Sequence, residues 1–215
     1  MCKESVLKQL NAECVNIVEP DGTLRLSLYN SLNMAPIMMD GANLLPGHRE
    51  GQGISGIMFY NSEGDECGGM GMSSRREADG SYYSSMSMTF DQYKQDQVVQ
   101  VSVSEKNGQR SYGYTIYDRP NKHISENLKV RKTLENPNVS QSEKERVAQQ
   151  YALENAVRMR LGKNTDGSVS VRINDSKGNP KLDITMGADG VPCIVMYDKN
   201  GTPHRKFPAE TEGRA

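Results

Sequence analysis

Apolar and polar residues alternate with a period of two over most of this chain, and Asx-Gly pairs separate the alternating runs. Val15 and Ile17, then Leu24, Leu26 and Leu28, sit among polar neighbours on either side of Pro20-Asp21-Gly22. An Asp-Gly pair between such runs is a strong short-range signal for a tight hairpin turn, and the pattern predicts a hairpin of residues 14–19 with 23–29. Further strands are predicted over 54–60, 66–73, 82–90, around Val99, Val101 and Val103, and over 112–117, joined by turns at Asn61-Ser62-Glu63-Gly64, Asp79-Gly80 and Asn107-Gly108. Between the first hairpin and residue 54, four glycines and two prolines break the chain into a loop with one short strand over 36–39. Gly68, Gly69 and Gly71 imply a bulge or a close backbone approach.

From Gly162 the same grammar returns. Asp166-Gly167, Lys177-Gly178, Asp189-Gly190 and Asn200-Gly201 enclose predicted strands over 169–173, 181–186 and 193–197. Residues 119–140, rich in proline, asparagine and lysine, read as a linker. Ser142-Glu143-Lys144-Glu145 then matches a capping box, predicting a helix that runs to Leu161 and stops at Gly162. Residues 5–13 read as a short amphipathic lead-in helix. The fold class is therefore all-β, a mainly antiparallel meander forming a barrel or sandwich, with one linker helix and a C-terminal β-hairpin module. The boundaries are 12–120 for the β domain, 121–162 for linker and helix, and 163–208 for the module. Four strands end on Tyr-Asx, at Tyr29, Tyr60, Tyr117 and Tyr197. Tyrosine suits a half-buried pleat and Asx closes the turn, so this is recurring hairpin chemistry at uneven intervals.

Composition narrows the function classes. With 26 basic against 27 acidic side chains in 215 residues, the electrostatic driver for nonspecific nucleic-acid binding is absent. Cys2, Cys14, Cys67 and Cys193 lack zinc or redox spacing and read as free thiols in a reducing compartment. Lys3, Glu4 and Lys8 interrupt any apolar stretch at the start, so no signal-peptide core or membrane span is evident there. A cytoplasmic location is expected. The alternative, from Cys2 followed by polar residues, is an exported or lipid-anchored protein without its leader.

Val18 to Leu26 (VEPDGTLRL), Gly56 to Gly69 (GIMFYNSEGDECGG), Thr89 to Val99 (TFDQYKQDQVV) and Tyr117 to Pro120 (YDRP) together resemble an uncharacterised family of bacterial proteins. Leu161-Gly162-Lys163 and Asn174 to Gly178 resemble the β-rich tail of the same family. The resemblance covers most of the chain outside the linker. It implies a recurring design, and it lends no activity, cofactor or catalytic residue. Members often start with a membrane-inserted or secreted leader, which leaves the compartment open.

The densest polar constellation joins Asp65, Glu66 and Cys67 with the segment from Asp91 to Gln97. If both strand ends meet at one rim, Asp65, Glu66, Asp91 and Asp96 surround a pocket, as acid–base hydrolysis requires; otherwise they are solvated turns with Asx caps. We take Asp65, Glu66, Asp91, Tyr93 and Asp96 as a ligand or partner surface. Met70 and Met72, with Met86 and Met88, point to one face of their strands; core packing is the plain reading, and a copper(I) site or an adaptable ligand cavity the sharper one. His48, His123 and His204 stand in loop contexts without ligand spacing and read as surface residues. No nucleophile elbow or phosphate loop is present, and Asn174 to Gly178 and Asp198 to Gly201 lack the later glutamate of a calcium loop. No cofactor or metal is expected. The sequence favours a non-catalytic binding or assembly protein, with homo-oligomer or protein partners paired through β edges. A carboxylate hydrolase and a carrier with a small apolar ligand inside a β-barrel are the alternatives.

Overall fold

A computed structural model describes residues 7–207. Its core element is one twelve-stranded antiparallel sheet: β1 (Cys14–Val18), β2 (Leu24–Tyr29), β5 (Ser55–Tyr60), β6 (Glu66–Arg76), β7 (Tyr82–Asp91), β8 (Gln97–Lys106), β9 (Gln109–Tyr117), β10 (Val157–Lys163), β11 (Val169–Asn174), β12 (Pro180–Met186), β13 (Pro192–Tyr197) and β14 (Pro203–Phe207), each paired with the next in this order. A two-stranded ribbon, β3 (Met38–Met39) with β4 (Ala42–Asn43), lies between β2 and β5 in the chain. The helices α1 (Ser125–Glu135) and α2 (Gln141–Glu154) lie between β9 and β10. No helix among the described residues is long and apolar enough to cross a membrane.

The antiparallel all-β meander is as the alternation predicts. The Asx-Gly pairs and Lys177-Gly178 turn it: Gly22, Gly80, Gly108, Gly167, Gly178, Gly190 and Gly201 all have positive φ, which glycine adopts without steric cost. Four details differ. The sheet ends on β1 and β14 and does not close on itself. Residues 7–13 are not helical, while residues 5 and 6 of that predicted element, and Cys2, lie outside the described residues. The predicted linker carries α1, and the helix after it ends at Glu154; residues 157–163 form β10, which pairs with β9 and so joins the C-terminal hairpins to the rest of the sheet. The cap of α2 is Ser140, whose hydroxyl accepts the Glu143 N–H at 3.3 Å, two residues before the predicted capping box.

Gly162 is a strand residue opposite Gly113, not a helix stop. A Cβ at Gly162 would lie 2.2 Å from the Tyr112 carbonyl oxygen, and one at Gly113 would lie 2.2 Å from that of Leu161. The two strands approach more closely than any side chain permits. Gly162→Val is expected to cost about 3 kcal/mol of stability, at the upper end of overpacking losses, measured by urea denaturation; a cost below 1 kcal/mol would show that the strands can separate freely.

The register aligns side chains into rows. Val15, Leu28, Ile57, Met70, Met88, Val101, Tyr114, Leu161, Val171, Ile184, Ile194 and Phe207 form one unbroken apolar row across all twelve strands. Parallel rows run on either side of it, because alternate residues share a face. The opposite face carries mainly serine, threonine and glycine, as in Gly71, Ser87, Ser102, Gly113, Gly162, Ser170 and Thr185. On that second face, near β2 and β5, Tyr29, Ala35, Met58 and Tyr60 form a small buried cluster with Leu24, Met34, Met38 and Ile54 against it. Thus the loop over residues 30–53 folds back over one end of the sheet. The four methionines predicted to pack a core instead lie on the apolar rows, where Met72 and Met86 are about half exposed.

Candidate functional site

The turn between β7 and β8, residues 91–97, organises two polar clusters. Gln92 N–H bonds the Asp96 carbonyl at 3.2 Å and Gln95 N–H bonds the Gln92 carbonyl at 2.9 Å, with Lys94 in the left-handed region at φ 54°. Gln95 is only 1% exposed. Its Nε2 donates to the Lys122 carbonyl at 3.0 Å, and its Oε1 accepts from Asn127 Nδ2 and from the Asp96 N–H, both at 3.0 Å. Ile124 N–H bonds the Lys94 carbonyl at 2.8 Å. These bonds fix the start of α1 against the turn. From the far side, Arg119 Nε donates to the Gln97 carbonyl at 2.7 Å while its other nitrogens reach Asn155 Oδ1 at 3.1 Å and Asp96 Oδ2 at 3.6 Å.

The first cluster centres on Lys94. Its ammonium contacts Asp40, Glu63 Oε2 at 2.7 Å and Asp65 Oδ2 at 2.5 Å, and these partners, Asp40 foremost, hold its proton well above the usual lysine range. The same ammonium draws the Asp40 and Glu63 carboxyls below theirs. Asp65, 1% exposed, also accepts the Asp40 N–H at 2.6 Å. Tyr93 is exposed and donates its hydroxyl to Glu63 at 2.9 Å. Asp40, Glu63 and Asp65 present oxygens within 4.8 Å of one another, the spacing of a metal site. Lys94 already supplies the positive charge those oxygens require, so the cluster is a cross-brace between the residue 40, residue 65 and residue 94 turns. His123 Nε2 lies 2.9 Å from Asp40 Oδ2, and its Nδ1 lies 2.8 Å from Ser125 Oγ at the start of α1.

The second cluster floors a cleft of about 580 Å³ beneath α1. The Gly68–Phe90 pairing brings the start of β6 beside the end of β7, so Glu66, Asp91 and Asp96 reach one space. Ile124, Leu128 and Leu134 roof it from α1, and Ile37, Met39 and Leu45 wall it from the 30–53 loop. Arg49 crosses from that loop, donating to Glu66 Oε1 at 2.7 Å and to the Ala35 carbonyl at 2.7 Å. Glu66 Oε2 and Asp91 Oδ1 are buried without a hydrogen-bond partner. Burial above all, and then the Glu66 and Asp96 charges, push Asp91 up from 3.8 to about 7 against the pull of Arg119 and Arg49. Cys67 lies nearby, and burial raises its thiol, which disfavours the reactive thiolate.

Of the five residues predicted to form a surface, the structure therefore brings Glu66, Asp91 and Asp96 together and sends Asp65 and Tyr93 to the other cluster. His48 is exposed, as expected of a surface residue, and stands at the edge of the cleft. Arg49, Lys94, Gln95 and Arg119 carry the geometry and have no motif that would reveal them; only the paired carboxylate segments were readable. The chain matches no protein-family model and no curated protein sequence.

Proposed function

We propose that this chain is a non-catalytic binding protein whose cleft beneath α1 takes a small molecule with a cationic, proton-donating head and an apolar body. One observation carries the reading: two buried carboxylate oxygens, on Glu66 and Asp91, lack partners at the floor of a cleft whose roof and walls are aliphatic. Buried polar atoms are nearly always hydrogen-bonded in native proteins, and a few convergent polar groups within an apolar lining describe a small-molecule site. An amine head satisfies both oxygens and brings the positive charge that the Glu66–Asp91–Asp96 group favours. A linear alkyl body fits the α1 side.

Hexylamine is expected to raise the melting temperature, more at pH 8 than at pH 6 because Asp91 gains its charge across about pH 7. Hexanoate at the same concentration is expected to have no effect. The double variant Glu66→Gln/Asp91→Asn should abolish the amine response. Equal responses to amine and carboxylate, or an amine response that survives in the double variant, would defeat this assignment.

Hydrolysis is the second reading, favoured by a carboxyl that titrates near neutrality beside an arginine-paired Glu66, the arrangement an acid–base pair uses. Chromogenic glycosides cleaved by the wild type and untouched by Asp91→Asn would establish it in place of simple binding.

A further inference from the structure

Among the described residues, no second layer covers the apolar face of the sheet. Fifteen large side chains on its three rows remain at least 40% exposed, among them Met86, Phe90, Val101, Leu161, Ile184 and Met196 at 43–48%. Together they present on the order of 1,000 Å² of apolar surface, beyond the roughly 300–600 Å² of the largest patch on a typical monomer. A sheet with one apolar face buries it against a second layer, and the helices and the 30–53 loop, which would supply such a layer, sit at the 91–97 turn and on the serine–threonine face instead.

We propose that the second layer is another copy of this chain, packed face to face about a two-fold axis to form a sandwich of two twelve-stranded sheets. Three observations select a second copy over another occupant. The exposed area exceeds the roughly 800 Å² per partner of a stable protein interface. The central row holds no charged residue over twelve strands, and Lys163 in the row beside it rests over the Tyr112 ring, so the face offers little for a charged partner or a lipid headgroup to pair with and is complementary to itself. Its rows follow one even spacing, set by the strand repeat, so side chains of two copies interdigitate at the roughly 10 Å separation of packed sheets. The contact is isologous and closes at two subunits. It also differs from pairing through β edges, since β1 and β14 enter it by their faces and their backbone edges stay unpaired.

Light scattering of the full chain at micromolar concentration is expected to give twice the chain mass, with a melting temperature that rises with protein concentration, as a dimer requires. Val101→Lys with Ile184→Lys should halve the mass while leaving the circular-dichroism spectrum of the sheet intact, and Ser102→Lys with Thr185→Lys, on the opposite face, should leave the dimer. A wild-type monomer with a concentration-independent melting temperature overturns the proposal, and so does a dimer that survives lysines at 101 and 184. Should the lysine variant fail to fold, the wild-type concentration series decides alone. A monomer that floats with phosphatidylcholine vesicles would assign the face to lipid and overturn it equally.

Discussion

Asp65→Ala is expected to lower the stability of the fold by about 3–5 kcal/mol, the cost of breaking a buried ion pair from one side. Asp65 is almost wholly buried and bonds two partners from distant turns, the Asp40 N–H and the Lys94 ammonium. Without it, the Asp40 N–H loses its acceptor and Lys94, itself mostly sheltered, keeps only the more exposed Asp40 and Glu63. Removing Glu63 is a fair comparison, because that side chain is about half exposed and exposed pairs contribute roughly 0–1 kcal/mol. Urea denaturation of the two variants tests the difference. If Asp65→Ala and Glu63→Ala lie within 1 kcal/mol of each other, the brace is not what fastens the 91–97 turn.

Stability is expected to fall as pH rises from about 4 to 7, and Asp91→Asn should remove much of that fall. Asp91 in the folded chain holds its proton to about pH 7, whereas the unfolded chain releases it near 3.8. The native state therefore binds more protons in that window, and linkage makes stability decline with pH wherever this is so. The full contribution is present below about pH 4 and is lost as pH passes 7; its size is on the order of 2–4 kcal/mol. The asparagine keeps the shape and carries no charge, so the variant should be the more stable protein at pH 8. Asp21, Asp79, Asp166 and Asp175, held below the usual range by turn hydrogen bonds, with Asp175 down to about 2, act with the opposite sign. Their contribution is present above pH 4 and lost as pH falls, which places the optimum at mildly acidic pH. Denaturation midpoints of both proteins from pH 5 to 8 check this, and parallel profiles would show that Asp91 is not responsible.

The hairpins were legible because turn chemistry is local. Asp166 accepts the Ser168 N–H and Asp198 the Asn200 and Thr202 N–H groups, bonds that depend on a few adjacent residues. The helices were less so. The stretch from Val157 to Lys163, VRMRLGK, alternates as a strand, but the apolar i,i+4 pairs of α2 just before it, with Gly162 placed as if to cap, suggested continuation. The start of α1 is capped by backbone and by His123, and its N-cap is Ile124 with no side-chain bond, so the usual start signal is missing. The site was half legible. Carboxylates at two strand ends marked the region, but which of them meet follows from the β6–β7 register and from a loop that carries Arg49 over the sheet. Neither is a local property. Alternation also announced an apolar face without telling what lies against it.

Every strand of the large sheet pairs with its neighbours in the chain, skipping only the short ribbon before β5 and the helices before β10. Most contacts therefore span one turn, an unusually low contact order for a β protein, and loop closure taxes the search for the native state little. Assembly can proceed by zipping hairpin onto hairpin from any nucleus, in the manner of repeat arrays whose energy is a sum over nearest neighbours. An architecture of this kind also lengthens or shortens by whole hairpins without redrawing the connections of the rest.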